Sequence, residues 1–245
     1  MQRDVFYTEL NKGLAELSLC LSAEQKEQLF EYYSMVVEKN KVMNLTAITE
    51  EREFVIKHII DSLSIVKLGE PVTDMLPFRL IDIGTGAGMP GVILKIAFPN
   101  LSVVLFDSLK KRLNFLDEVI EALSLKDIET LHGRAEDMGQ DKNYRESFDM
   151  AVSRAVARLN VLSEYGLPFV KLGGAFVPYK SGDIAEELTE AKNAIAMLGG
   201  NLERDLRFRL PDSDMERSLL YIKKKKPTPK AYPRKAGVPS KKPIM

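Results

Sequence analysis

The segment Asp82-Ile83-Gly84-Thr85-Gly86-Ala87-Gly88-Met89-Pro90-Gly91 has the clearest chemical potential in the chain. Its glycines let backbone approach a ligand more closely than any side chain would allow. The segment follows an apolar β-type run, Arg79–Ile83, and precedes a helical pattern for whose first turn Pro90 is suited. A glycine-rich strand–turn–helix of this kind cradles ligands at the switch point of an open α/β sheet. Asp107 closes the next β-type run, where an acid accepts ribose hydroxyls. Further on, Ser153-Arg154-Ala155-Val156-Ala157-Arg158 follows another such run. Its arginines suit phosphate, carboxylate and base-edge contacts, although surface ion pairing explains Arg154 and Arg158 equally well.

Two cofactors compete for the glycine loop. Gly86 to Gly91 spells G-x-G-x-x-G, a dinucleotide fingerprint. Asp82 to Gly88 spells D-x-G-x-G-x-G, the first motif of Rossmann-like methyltransferases. Asp82 favours the second reading: a carboxylate there would hold the ammonium group of S-adenosylmethionine and would repel a pyrophosphate. Asp107 serves either cofactor, and a nicotinamide oxidoreductase stays open as the alternative.

The absences narrow the chemistry. There is no Asn-Pro-Pro-aromatic segment to hold an exocyclic amine and no Pro-Cys pair for attack on a pyrimidine carbon. The lone Cys20 lies in the N-terminal region, and neither G-x-S-x-G nor a P-loop occurs. Arginines remain at the expected mouth of the site. They fit a transfer that needs positioning alone, onto a ring nitrogen such as guanine N7 that has a lone pair and no proton to lose. Lys110 to Arg112 read as a solvated first helical turn. Glu136 and Asp137 either reach an adenine edge or simply favour a helix start.

These residues need a scaffold, and the apolar periodicity supplies one. From residue 79 short β-type runs alternate with helical stretches: Arg79–Ile83, Ser102–Phe106, Ile128–Leu131, Phe148–Val152 and Gly174–Tyr179, with helices near 90–98, 109–124, 159–171 and 183–198. The fold class is therefore α/β, a Rossmann-like and mostly parallel sheet with helices on both faces. Leu206–Leu210 and Ser218–Lys223 fit a closing antiparallel pair. Residues 1–70 form a helical N-terminal extension. In it Ser22 and Gln25 make a capping box before the apolar face of Leu29, Phe30, Tyr33, Val36 and Val37. A second amphipathic stretch runs from Glu51 to Leu68, with a turn at Asn44-Leu45-Thr46-Ala47 between them. Pro71 and Pro77 mark the junction with a core over 71–222, and 223–245 is a basic, proline-rich tail, extended rather than helical.

The chain has 245 residues, with 35 basic and 35 acidic side chains. That balance hides an asymmetry: the last 23 residues carry nine Lys/Arg and no acid, so a body of net −9 bears a tail of +9. Such a tail suggests a polyanion partner. One cysteine excludes an internal disulfide, and with only two histidines no metal site is expected. No signal peptide or membrane span is visible, so a cytoplasmic protein with no membrane partner is expected, and nothing demands more than a monomer. A non-catalytic RNA-binding module is a third reading, which the intact glycine loop opposes.

Several segments together resemble one family. Asn44-Leu45-Thr46-Ala47, His58-Ile59-Ile60-Asp61-Ser62-Leu63, the glycine loop, Gly133-Arg134-Ala135-Glu136, Ser153-Arg154-Ala155 and Tyr232-Pro233-Arg234-Lys235-Ala236-Gly237-Val238-Pro239 are similar to the bacterial small-subunit rRNA guanine-N7 methyltransferase G family, also called glucose-inhibited division protein B. The resemblance runs from about residue 25 to the C-terminus. It implies S-adenosylmethionine as donor and a guanine in the decoding-region loop of 16S rRNA, free or in the 30S subunit, as acceptor at N7. It places Gly84 and Met89 on the methionine part of the cofactor, Asp107, Ser108 and Leu109 at the ribose, Ala135 and Glu136 at the adenine, and Arg154 against the cofactor near the acceptor. Lys180, Arg234 and Lys235 would face RNA, and Arg158, by its place at the mouth of the site, is expected to join them. His58 and Asp61 read as a hydrogen-bonded structural pair, His132 as structural, and Lys223–Lys226 as the solvated end of a last strand.

Overall fold

The computed structural model describes residues 2–69 and 78–245, so Pro71, Pro77 and the proposed junction lie outside the described residues. Seven strands form one sheet in the order β3-β2-β1-β4-β5-β7-β6. They are β1 (Arg79–Ile83), β2 (Ser102–Asp107), β3 (Ile128–His132), β4 (Phe148–Arg154), β5 (Val170–Ser181), β6 (Gly200–Arg209) and β7 (Glu216–Lys224). The first five run parallel, and β7 is antiparallel to both β5 and β6. All seven expected strands are present, and β6 begins earlier than its apolar run suggests because its first residues are polar and exposed.

Most central-strand residues are buried on both faces, which explains their near-continuous apolar runs. Alternate residues feed opposite cores. Leu80, Val103, Leu105, Met150, Val152 and Val177 face one core; Ile81, Ile83, Val104, Phe106, Ala151 and Phe176 face the other. The first core also receives the N-terminal helices α1 (Gln2–Glu16) and α2 (Ala23–Asn40), with α5 (Gly91–Ala97) and α6 (Lys110–Ala122). The second is covered by α7 (Ala135–Met138), α8 (Leu159–Gly166) and α9 (Ala185–Met197).

Ser22 and Gln25 form the expected capping box at α2. Gln25 also donates Nε2–H bonds to the carbonyls of Ile96 and Ala97, tying α2 to the C-terminal end of α5. The second amphipathic stretch is helical but irregular: α3 (Glu51–Phe54), a π-helix (Val55–Ile60), α4 (Asp61–Leu63) and a 3-10 helix (Ser64–Leu68). Asn40 shapes the 44–47 turn, its Oδ1 accepting from the amides of Leu45 and Thr46.

The tail differs from expectation in two ways. It contains a short helix, α10 (Val238–Lys241), started by Gly237 in the left-handed region. It is also strapped to the body. The Arg145 guanidinium donates to the carbonyls of Tyr232 and Thr228, and Glu164 receives Arg234. Lys224 corrects the reading of a solvated strand end: its side chain is fully buried, against Glu146, Thr228 and the Leu167 carbonyl. It shares the sheet face of Leu220 and Ile222, so strand alternation turns it inward. Burial pushes its ammonium pKa down to about 8.

Candidate active site

A cavity of about 530 Å³ opens at the carboxyl ends of β1, β2 and β3. Of the residues expected at the cofactor, the structure brings Gly84, Asp107, Ser108, Ala135 and Glu136 together in its wall. The loop is held from beneath. Asp82 is wholly buried, and its Oδ2 accepts from Thr85 Oγ1 (2.6 Å) and the Gly91 amide (2.9 Å). A side chain on Gly91 would collide with that same carboxylate, 2.9 Å from the added Cβ. At Gly88, φ is +102°, and a Cβ would meet Val92 and Leu116. Tyr32 reaches over from α2, its hydroxyl donating to the Ala87 carbonyl at 2.8 Å.

Asp107 is 4% exposed and organises the rim. Its Oδ2 accepts from the Gly86 amide at 3.0 Å and its Oδ1 from the Leu109 amide at 2.8 Å. Glu136 Oε1 accepts from the Gly237 amide at 2.8 Å, so the tail supplies part of the wall. Gly237, Ser240 and Tyr165 at this cavity were not singled out in the sequence. No local signal in the sequence marked them, because the tail meets Glu136 only in the folded chain.

Other expected cofactor residues sit outside the cavity wall. Asp82 lies below the loop, so the structure gives it Thr85 and Gly91 as partners instead of an exposed face for an ammonium group. Its Oδ1 is buried without a partner, and burial pushes the carboxyl up to about 6. Met89 is buried in the first core, Gly86 and Gly88 shape the loop, and Leu109 caps α6. The glycine cradle, where a Cβ on Gly84 would strike Val156 at 2.5 Å, fits a ligand pressed against bare backbone.

A second cavity, about 290 Å³, shares Ala155 with the first. Lys57, His58, Asp61, Arg154, Lys180 and Arg217 line it. Arg154 is the hub. Its Nη1 donates to Asp61 Oδ2 at 3.0 Å, with the Ser62 hydroxyl and Lys57 carbonyl each at 3.4 Å. Its Nη2 lies 3.3 Å from His58 Nδ1. A guanidinium has no lone pair to offer, so Nδ1 must accept. The imidazole is therefore neutral, with its proton on Nε2, donated to Thr46 Oγ1 at 2.8 Å. Burial first, and the Arg154 charge second, push His58 down to about 3. Asp61 Oδ1 accepts from Arg217 Nε at 3.0 Å. His58 and Asp61 thus differ from the expected mutual pair: each binds Arg154 rather than the other.

The residues expected to face RNA are dispersed. Lys180 lines the second cavity, donating to the Ala157 carbonyl and pairing with Glu187. Arg158 is exposed and pairs with Glu190. Arg234 is fixed on Glu164, and Lys235 is exposed. Among the described residues no helix is long and apolar enough to cross a membrane.

The sheet order, the glycine loop and the adjoining cavities define a class I methyltransferase whose methyl donor is S-adenosylmethionine. The family model for rRNA small subunit methyltransferase G matches residues 25–210, and the chain belongs to that family. It is 53% identical to the ribosomal RNA small subunit methyltransferase G of Lachnoclostridium phytofermentans, covering 96% of both chains. The Lactococcus lactis subsp. cremoris protein of the same name is 49% identical over 96% of this chain and 98% of its own. Among solved structures, TrmN from Thermus thermophilus aligns with a TM-score of 0.52 at 18% identity, covering 67% of this chain and 48% of that one. P. horikoshii TYW2 in complex with MeSAdo gives 0.51 at 13%, covering 67% and 61%. At such identities the likeness is one of fold.

Proposed function

We propose that the protein transfers the methyl group of S-adenosylmethionine to N7 of a guanine in the decoding-region loop of 16S rRNA. The observation that carries this reading is the state of the second cavity. Every carboxylate lining it is ion-paired, Asp61 to two arginines and Glu187 to Lys180. Both His58 nitrogens are engaged. An exocyclic amine or a hydroxyl must lose a proton on methylation and calls for a base. Guanine N7 has a free lone pair and needs only alignment. The family membership and the names of the relatives support rRNA as the acceptor.

The bound donor would supply an electrophilic methyl on its sulfonium. The chain's part is placement. The glycine loop, Asp107 and Glu136 would hold the donor in the first cavity. Lys57, Lys180 and Arg217 stand around the second, each held by a carboxylate and set where the phosphates of an RNA loop would pass. Arg154, beside the shared Ala155, stands where donor and acceptor would meet.

The test uses donor labelled on its methyl group, with 30S subunits and free 16S rRNA that lack the modification. Label at a single N7-methylguanine, mapped by chemical strand cleavage, is expected. Label on an exocyclic amine or another ring atom overturns the N7 assignment. No label in either RNA overturns the substrate, and the more active of the two identifies the working form.

A further inference from the structure

We propose that His58 and Asp61 are positioning residues that aim the Arg154 guanidinium, with Thr46 and Arg217 holding them in turn. The proposal goes beyond the methyl-transfer reading and rests on it only for its kinetic readout.

The geometry consumes one side of Arg154 and leaves the other. Nη1 faces Asp61, Ser62 and the Lys57 carbonyl, and one Nη2–H faces His58. Among the described residues, the Nε–H and the second Nη2–H meet no acceptor. These two form the side-on fork of a guanidinium, which matches a bidentate anion or a base edge. Arg154 is only 14% exposed and lines the second cavity, so the fork is a directed group and not a waving surface charge. Its direction is set by partners that come from elsewhere in the chain.

Each partner is itself fixed. Asp61, with a side chain 3% exposed, spends one oxygen on Arg154 and the other on Arg217, so it cannot rotate without losing both. His58 is pinned through Nε2 to Thr46 Oγ1, which also accepts from the Ile48 amide at 3.0 Å. Phe54 packs edge-on against the imidazole with ring centroids 4.9 Å apart. The π-helical segment Val55–Ile60 is the local irregularity that turns the Lys57 carbonyl, His58 and, just beyond it, Asp61 toward one guanidinium. Such π segments cluster at functional sites. The 46–48 turn and the 55–62 helix therefore act on the reaction through Arg154.

The experiment is a double-mutant cycle on the full-length protein, read as kcat/KM for methyl transfer to 30S subunits, with thermal midpoints alongside. His58→Ala is expected to lower kcat/KM by about 10- to 100-fold, the scale of misaligned catalytic groups. His58→Asn keeps an acceptor where Nδ1 stood and is expected to recover most of that loss. In an Arg154→Ala background, His58→Ala is expected to cost nothing further, because nothing is left to aim. Equal losses in both backgrounds overturn the proposal, as does a His58→Asn protein no better than His58→Ala. Should His58→Ala fail to fold, His58→Gln, which lacks an acceptor at the Nδ1 position, takes its place in the same cycle. Calorimetric affinity for S-adenosylhomocysteine supplies a readout independent of turnover, with the same cancellation expected. A label found at another RNA atom would remove the N7 reading and leave this cycle interpretable.

Discussion

The two cavities are built by different means. The first is a backbone device: one contiguous loop of glycines, two strand ends and a helix start, braced from below by Asp82 and from the side by Tyr32. The second is a side-chain device. His58, Asp61, Arg154, Lys180 and Arg217 reach it from separate parts of the chain, with Thr46 behind His58, and charge cancels charge. A backbone cradle can be shared by many enzymes of one fold, since it recognises the shape of a common cofactor. A side-chain cavity assembled from distant segments has no such general template.

That contrast breaks most severely at Asp61. Asp61→Ala leaves Arg154 and Arg217 facing each other without a counter-charge, and should destabilise the fold by about 3–5 kcal/mol by urea titration. Near-normal stability would show that the cavity does not depend on charge balance. At the first cavity, Gly86→Asp forces a side chain onto a residue at φ +60° and sets an acid beside Asp107. Affinity for S-adenosylhomocysteine should fall by about 100-fold, with a smaller loss of stability. Unchanged affinity would detach the loop from cofactor binding.

Asp82 gives a pH test of the backbone device. Its folded carboxyl is raised from 3.8 to about 6, so its stabilising contribution is full below about pH 3.8 and lost as pH rises through 6. Asp82→Asn keeps an oxygen for Thr85 and Gly91 and has no charge to bury. By denaturant titration it should exceed wild type by about 1–3 kcal/mol above pH 6, with the gap closing as pH falls toward 4. A variant no more stable than wild type at about pH 8 contradicts the unpaired buried charge.

Tyr32→Phe is a milder probe. Losing the bond to Ala87 should cost about 1 kcal/mol and weaken cofactor binding a few-fold, while KM for RNA stays constant. A change in RNA KM alone would mean that the two devices are coupled through α2. The smallest effect is expected at Arg158, 57% exposed and paired with Glu190. Arg158→Ala should leave the thermal midpoint unmoved and raise KM for RNA slightly, more so at low salt.

The same contrast explains what could be read from the sequence. The sheet follows from its apolar runs, and the glycine loop is contiguous, so its position after β1 could be foreseen. The second cavity has no local signature. Nothing beside Arg217 marks it as a partner of Asp61, since the pairing exists only once β7 lies next to β5. The docking of the tail was hidden for a related reason. Its prolines read as an extended segment, but Arg145, Glu164 and Glu136 hold it against the body. Lys224 was hidden inside a lysine run, although the period of two from Leu220 through Ile222 pointed it inward.

The most direct test of positioning without a base is the single-turnover methylation rate against pH, for wild type and His58→Asn, on unmodified 30S subunits. Two profiles of the same shape, displaced at most by a constant factor, are expected, because His58 stays neutral and both of its nitrogens are occupied throughout. A limb in the wild-type profile that disappears in His58→Asn would show that His58 moves a proton, and would contradict the assignment of this cavity to alignment alone.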